Sequence, residues 1–179
     1  MKFTATPLSG AFIVDIEPTS DERGFFARTF CAQEFAGYGF DTSALECSAS
    51  FNANKGTLRG MHYQVPPHEE DKLVRCTAGA IFDVIVDIRR NSPSYGQWFG
   101  TELSAGNRRA LLAPKGFAHG FISLADASEV LYMISARHAP ESARGFSWDD
   151  PEVGIAWPMR PAVISVRDAA YQTLAHDRG

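Results

Sequence analysis

What most restricts the fold of this chain is how often its apolar runs are broken. Short runs of alternating apolar residues recur throughout, each cut off by Gly, Pro, Asn or Asp. The clearest is Ala80-Ile81-Phe82-Asp83-Val84-Ile85-Val86-Asp87-Ile88, rich in β-branched and aromatic residues and closed by the turn residues Asn91, Ser92 and Pro93. Further strands are expected at Ala11–Ile16, Gly24–Phe30, Leu73–Thr77, Trp98–Leu103, Ala110–Ala113, Phe121–Leu124, Val130–Ala136 and Ala162–Val166. Helix is scarce: a turn or two over Ala32–Tyr38, and another in the tail from Ala169. Strands this short, with turns about every 8–12 residues, pack as an antiparallel sandwich or barrel. No repeat, low-complexity stretch or linker divides the chain, so residues 1–179 are expected to form one all-β domain.

Charge narrows the partners. The formal net charge is −4, which disfavours general binding to nucleic acid or an acidic membrane, so an anionic ligand must be met by a local cluster of Arg and Lys. No apolar run approaches the ~20 residues of a membrane span, and the first residues lack a signal-peptide core. Cys31, Cys47 and Cys76 are odd in number and unpaired in spacing, which fits reduced thiols in the cytosol and buried small hydrophobes.

The chemistry concentrates in Gly56-Thr57-Leu58-Arg59-Gly60-Met61-His62-Tyr63-Gln64 and the nearby Lys72. A regular strand would point Arg59 and His62 to opposite faces, and a bulge at Gly60 would bring them to one. A cationic anchor, an imidazole able to take a proton near neutral pH and a second cation suit proton abstraction from a carbon acid on an anionic substrate. The same residues also fit a basic strand edge with one structural histidine.

Two half-motifs point to a cupin-type double-stranded β-helix, a jelly-roll barrel. One is Gly56 six residues before His62; the other is Pro114-Lys115-Gly116-Phe117-Ala118-His119, a Pro-x-Gly-x-x-His turn. A metal-dependent cupin oxygenase would use His62, a ligand two residues on, a carboxylate near Glu69 or Glu70, and His119. The second position here is Gln64, a weak ligand, and Glu69-Glu70-Asp71 reads as a solvated loop with His68 at the surface. A metal is therefore not expected. Without a Lewis acid, Lys72 and His119 are the candidates for stabilising an oxyanion. Asp168 could accept a hydrogen bond from His62 and strengthen it as a base, or cap a helix at Ala169. Tyr132 could be the opposing acid, or a packed barrel aromatic.

Taken together, these segments resemble the dTDP-4-dehydrorhamnose 3,5-epimerase family from about Phe12 to Leu174. The resemblance is carried by Asp21-Glu22-Arg23-Gly24-Phe25-Phe26-Ala27-Arg28, Lys55–Gln64, Lys72-Leu73-Val74-Arg75, Asp83–Arg89, Gly116–Phe121, Tyr132, Trp148-Asp149-Asp150-Pro151, Ile155-Ala156-Trp157-Pro158 and Ser165-Val166-Arg167-Asp168. It implies a cofactor-free homodimer of cupin barrels that epimerises a nucleotide-diphosphate deoxysugar. It implies His62 as base, Asp168 as its carboxylate, Tyr132 as the acid on the other face and Lys72 as the enolate-stabilising cation. His119 would line the same pocket, Arg59 and Arg167 would meet the diphosphate, and Arg23 and Phe26 would come from the partner's N-terminal segment. The chain departs from the family in Glu46-Cys47-Ser48-Ala49-Ser50-Phe51-Asn52, where Gln and Asn are usual and a carboxylate at Glu46 suits a sugar hydroxyl better than a phosphate, in the acidic Glu69-Glu70-Asp71, where a Gln is usual, and at His138, where a tyrosine is common. A 3-only or 5-only epimerase and a non-catalytic sugar-nucleotide-binding module stay open at this point.

Overall fold

The computed structural model describes residues 1–43 and 45–175. Fourteen strands and two short helices follow one another along those residues. Eight strands build the barrel: β5 (Glu46–Asn52), β6 (Thr57–Gln64), β7 (Lys72–Ala78), β8 (Ala80–Asp87), β9 (Trp98–Ser104), β10 (Ala110–Ala113), β11 (Phe117–Ser123) and β12 (Ser128–Ile134). Their pairing is nested. β8 pairs with β9, β7 with β10, β6 with β11 and β5 with β12, all antiparallel. One long hairpin is thus rolled up on itself, and rolling adds the contacts of β8 with β11 and β7 with β12. This is a cupin-like jelly roll of two facing sheets. β1 (Lys2–Ala5) and β2 (Phe12–Asp15) extend one sheet beyond β10, and β13 (Ala143–Gly145) and β14 (Val163–Ile164) both pair with β6 in the other. β3 (Thr19–Asp21) and β4 (Gly24–Phe26) form a separate exposed hairpin. No helix among the described residues is long and apolar enough to cross a membrane.

Period-2 alternation sorts the core into layers. Val74, Ile81, Ile85, Leu111, Phe121 and Val130 fill the space between the sheets. The intervening residues face outward: Met61, Val84, Val86 and Ala118 pack under Phe146, while Val14, Leu73, Ala110 and Leu112 pack under Phe35 and Phe40. Phe35 lies on α1 (Ala32–Ala36). Because both faces of β8 are covered, this strand reads as a nearly continuous apolar run.

Several expectations shift. β4 stops at Phe26 rather than Phe30, and β11 begins at Phe117 rather than Phe121, directly after the turn at Gly116. The tail helix, α2, is Val166–Ala169, ending where a helix was expected to begin. β5 was not anticipated, since its sequence Glu-Cys-Ser-Ala-Ser-Phe-Asn carries the polar residues of a loop. Of the three free cysteines only Cys76 is buried; Cys47 is exposed and Cys31 half-buried, so the expectation of three buried thiols is corrected.

Candidate active site

One end of the barrel stays open as a cavity of about 400 Å³. The inward positions of β5, β6, β7, β11 and β12 line it, and there the apolar filling gives way to polar side chains. The strand-period argument alone leaves Arg59 and His62 on opposite faces, yet both line this cavity. The reason is the bulge: His119 opposes His62 and Phe121 opposes Arg59, so two steps on β11 face three on β6. Glycine is required there. Gly60 has φ +128°, and a Cβ on it would lie 2.6 Å from the Gly120 Cα.

His62 Nε2 donates to Asp168 Oδ1 at 2.8 Å. Asp168 also accepts the Gly60 amide at 3.3 Å and is 4 % exposed. Burial pushes its carboxyl up, but the His62 hydrogen bond and charge and the Gly60 amide outweigh this and leave it below the usual range. Asp168 sits inside α2, whose N-cap is Ser165, so it is not a cap. The carboxylate fixes the tautomer that carries its proton on Nε2, which leaves Nδ1 free to accept one.

Tyr132 projects from β12, in the sheet facing β6. Burial, and then the charge of Asp83, push its hydroxyl far above the ordinary phenol range, with Arg59 pulling weakly the other way. It therefore stays protonated. Its ring meets the His119 ring edge-on at 5.9 Å. His119 Nε2 bonds Asp83 Oδ1 at 2.7 Å, a second imidazole–carboxylate pair. Asp83 is fully buried, burial raises its carboxyl above its ordinary value, and its Oδ2 has no partner. Asp83 is inconspicuous in the sequence, lying within an apolar run. The signal was there: a carboxylate at an inward position, between Ile81 and Ile85.

Lys72, 8 % exposed, donates to the His62 carbonyl at 3.3 Å and pairs with Glu70 at 2.8 Å. Glu70 and Asp71 correct the expectation of a solvated acidic loop. Asp71 is 2 % exposed and accepts the amides of Asp41 and Lys115. His68 is half-buried, hydrogen-bonded to Ser142 Oγ at 2.9 Å, rather than at the surface. Arg59 is braced at the rim by Asn52 Oδ1 (2.9 Å), and Arg167 by the Tyr171 hydroxyl (2.8 Å). Glu46 and His138 also line the cavity. Arg23 and Phe26 do not: they lie on the β3–β4 hairpin, where Phe26 is 82 % exposed.

The residues of a metal cupin do not form a ligand set. Gln64 spends its amide on His68 O and Glu70 and its carbonyl on the Ala139 amide. His62 and His119 each turn Nε2 to a carboxylate, and among the described residues no three His, Cys, Asp or Glu side chains converge.

The jelly-roll barrel sets a carboxylate-backed imidazole against a protonated tyrosine, beside buried and rim cations, an arrangement suited to acid–base chemistry. Residues 5–176 match the sequence model of dTDP-4-dehydrorhamnose 3,5-epimerase. The chain is 41 % identical over 176 residues to the dTDP-4-dehydrorhamnose 3,5-epimerase of Methanothermobacter thermautotrophicus, covering 97 % of this chain and 94 % of that one. Its fold superposes with TM-score 0.90 on the crystal structure of dTDP-6-deoxy-D-glucose-3,5-epimerase from Legionella pneumophila in complex with dTDP-4-keto-L-rhamnose, at 37 % identity over 97 % of this chain and 93 % of that one. A 3'-monoepimerase from Streptomyces bikiniensis in complex with dTDP-quinovose is also similar, with TM-score 0.85 and 33 % identity over 96 % and 88 %. The chain belongs to the dTDP-4-dehydrorhamnose 3,5-epimerase family.

Proposed function

We propose that this protein is an isomerase that inverts the carbons flanking the ketone of a nucleotide-linked 4-keto-6-deoxyhexose. The reading that fits best is conversion of dTDP-4-dehydro-6-deoxy-D-glucose to dTDP-4-dehydro-L-rhamnose. The observation that carries it is one cavity lined by His62 of β6, which is bonded to Asp168 of α2, and by Tyr132 on the facing sheet.

The hydrogens on C3 and C5 are both α to the C4 carbonyl. His62 takes one through Nδ1; the C–H electron pair moves into the enolate, whose charge collects on the C4 oxygen. Asp168 holds the ring and stabilises the imidazolium. Lys72, with His119 beside it, meets the oxyanion only as it develops, which is where binding energy accelerates the step. Tyr132, kept protonated by burial, then gives its proton to the opposite face of the carbon. Arg59 and Arg167 hold the diphosphate, and Glu46 takes a sugar hydroxyl.

The protein acts as a homodimer in the cytosol in this proposal. The solvated Phe26 and the neighbouring Arg23 fit a hairpin that completes the partner's site. Deuterium incorporation from solvent into the 4-keto-6-deoxy sugar nucleotide tests the reaction. Label at C3 and C5 is expected; label at C3 alone would make the chain a monoepimerase, and bound but unlabelled sugar would make it a binding module.

A further inference from the structure

Beneath the base lies a chain of buried polar contacts of which the reaction as written uses only the Lys72 ammonium. Glu70 Oε1 pairs with Lys72 Nζ at 2.8 Å, and the two side chains are 11 % and 10 % exposed. Glu70 Oε2 accepts the Gln64 amide at 3.0 Å, and the same ammonium donates to the backbone carbonyl of His62. Gln64 in turn accepts the Ala139 amide at 2.8 Å, which holds the segment that puts His138 at the cavity mouth. Four segments, β6, β7, the loop before β7 and the chain around residue 138, are therefore linked through Glu70 and Gln64.

From this network we infer that Glu70 is a positioning residue that keeps Lys72 charged and aimed into the cavity; the inference rests on the epimerase reading of the same site. An ammonium buried with no anion loses its charge more readily than one in water, and breaking a buried pair leaves the survivor uncompensated. The other ionisable groups of this cavity come from other elements: Glu46 on β5, Arg59, His62 and Tyr63 on β6, His119 on β11 with Asp83 on β8, Tyr132 on β12 with His138 beyond it, Arg144 on β13 and Arg167 on α2; the Asp83 carboxyl also feels the Lys72 charge, though it is paired with His119. His62 and His119 are each committed to their own carboxylate, and Tyr132 keeps its proton. Glu46 lies at the exposed rim of edge strand β5. Among the described residues, Glu70 is accordingly the carboxylate within ion-pair distance of Lys72. While the substrate is a neutral ketone, the ammonium rests on Glu70. As negative charge grows on the C4 oxygen, it is shared between the two anions.

The test is the pH profile of solvent-deuterium incorporation for the wild type, Glu70→Gln and Glu70→Asp. Glu70→Gln keeps the shape of the side chain and removes its charge, so its alkaline loss of activity is expected to shift to lower pH by about one unit or more. Glu70→Asp keeps a carboxylate and is expected to retain the position of that limb. A Glu70→Gln profile of wild-type shape, merely scaled down, would overturn the inference, as would a Glu70→Asp limb displaced as far as that of Glu70→Gln. Loss of the folded circular-dichroism signal in both variants would make Glu70 a structural residue and overturn it too. A wild type that incorporates no deuterium sinks the epimerase reading and this inference together, whereas an active wild type with unmoved variants sinks this inference alone.

Discussion

The proposed role of His62 depends on a partner 106 residues away, Asp168. Replacing His62 with Ala is expected to lower deuterium incorporation at every centre by about 10²–10⁴-fold, since general-base contributions are of that size. Tyr132→Phe separates the two half-reactions: label exchange from the deprotonated face continues, while the rate of inversion falls by about 10²-fold or more. Equal loss of both, measured by nuclear magnetic resonance of the sugar ring, would remove Tyr132 from the second face. Asp168 gives a pH-dependent stability. Its carboxyl sits lower in the folded chain than in the unfolded one, so its contribution is present above the unfolded value of about 3.9 and is lost as pH falls through it toward the folded value. Asp168→Asn should flatten that part of the acid decline in Tm, and a decline as steep as in the wild type would contradict this.

At the scale of elements, the β6 bulge decides whether Arg59 and His62 share a cavity. Gly60→Ala places a Cβ in a left-handed backbone position and against Gly120. Strain and overpacking of this kind cost about 2–5 kcal/mol together, a fall in Tm of about 10 °C for a chain this long. The variant is also expected to lose activity at temperatures where it remains folded, because relieving the clash shifts the register that aims His62. β5 works through its composition. Glu46 and Ser48 occupy inward positions that a sealed barrel would give to Val or Leu, so the strand lines the mouth without closing it.

For the whole molecule, nested pairing brings residues from opposite ends of the chain to one cavity, and the exposed β3–β4 hairpin leaves that chain with an arm to spare. If the arm completes the partner's site, Arg23→Ala and His62→Ala proteins, each impaired alone, should complement when mixed and allowed to exchange subunits. Half of the dimers formed would be mixed and each would carry one intact site, so about a quarter of wild-type activity is expected. Activity equal to the sum of the two separate variants would show that each site is built from its own chain.

Local chemistry was enough for the class of fold and for choosing His62 and Lys72 as candidates. Alternation in Ala80–Ile88, frequent turns and the paired glycine–histidine segments are short-range properties, and they led to β8, β10, the jelly roll and the roles assigned to His62 and Lys72. β5 and Asp83 could not be judged locally. A polar strand looks like a loop until the cavity it faces exists, and a carboxylate in an apolar run looks incidental until an imidazole from another strand reaches it. Glu70 is the sharpest case. In sequence it belongs to an acidic, water-facing run, and only the folding of β7 against β6 puts an ammonium beside it and takes the water away. Burial is a property of the assembled sheets, and burial decides whether a charge is solvated or paired.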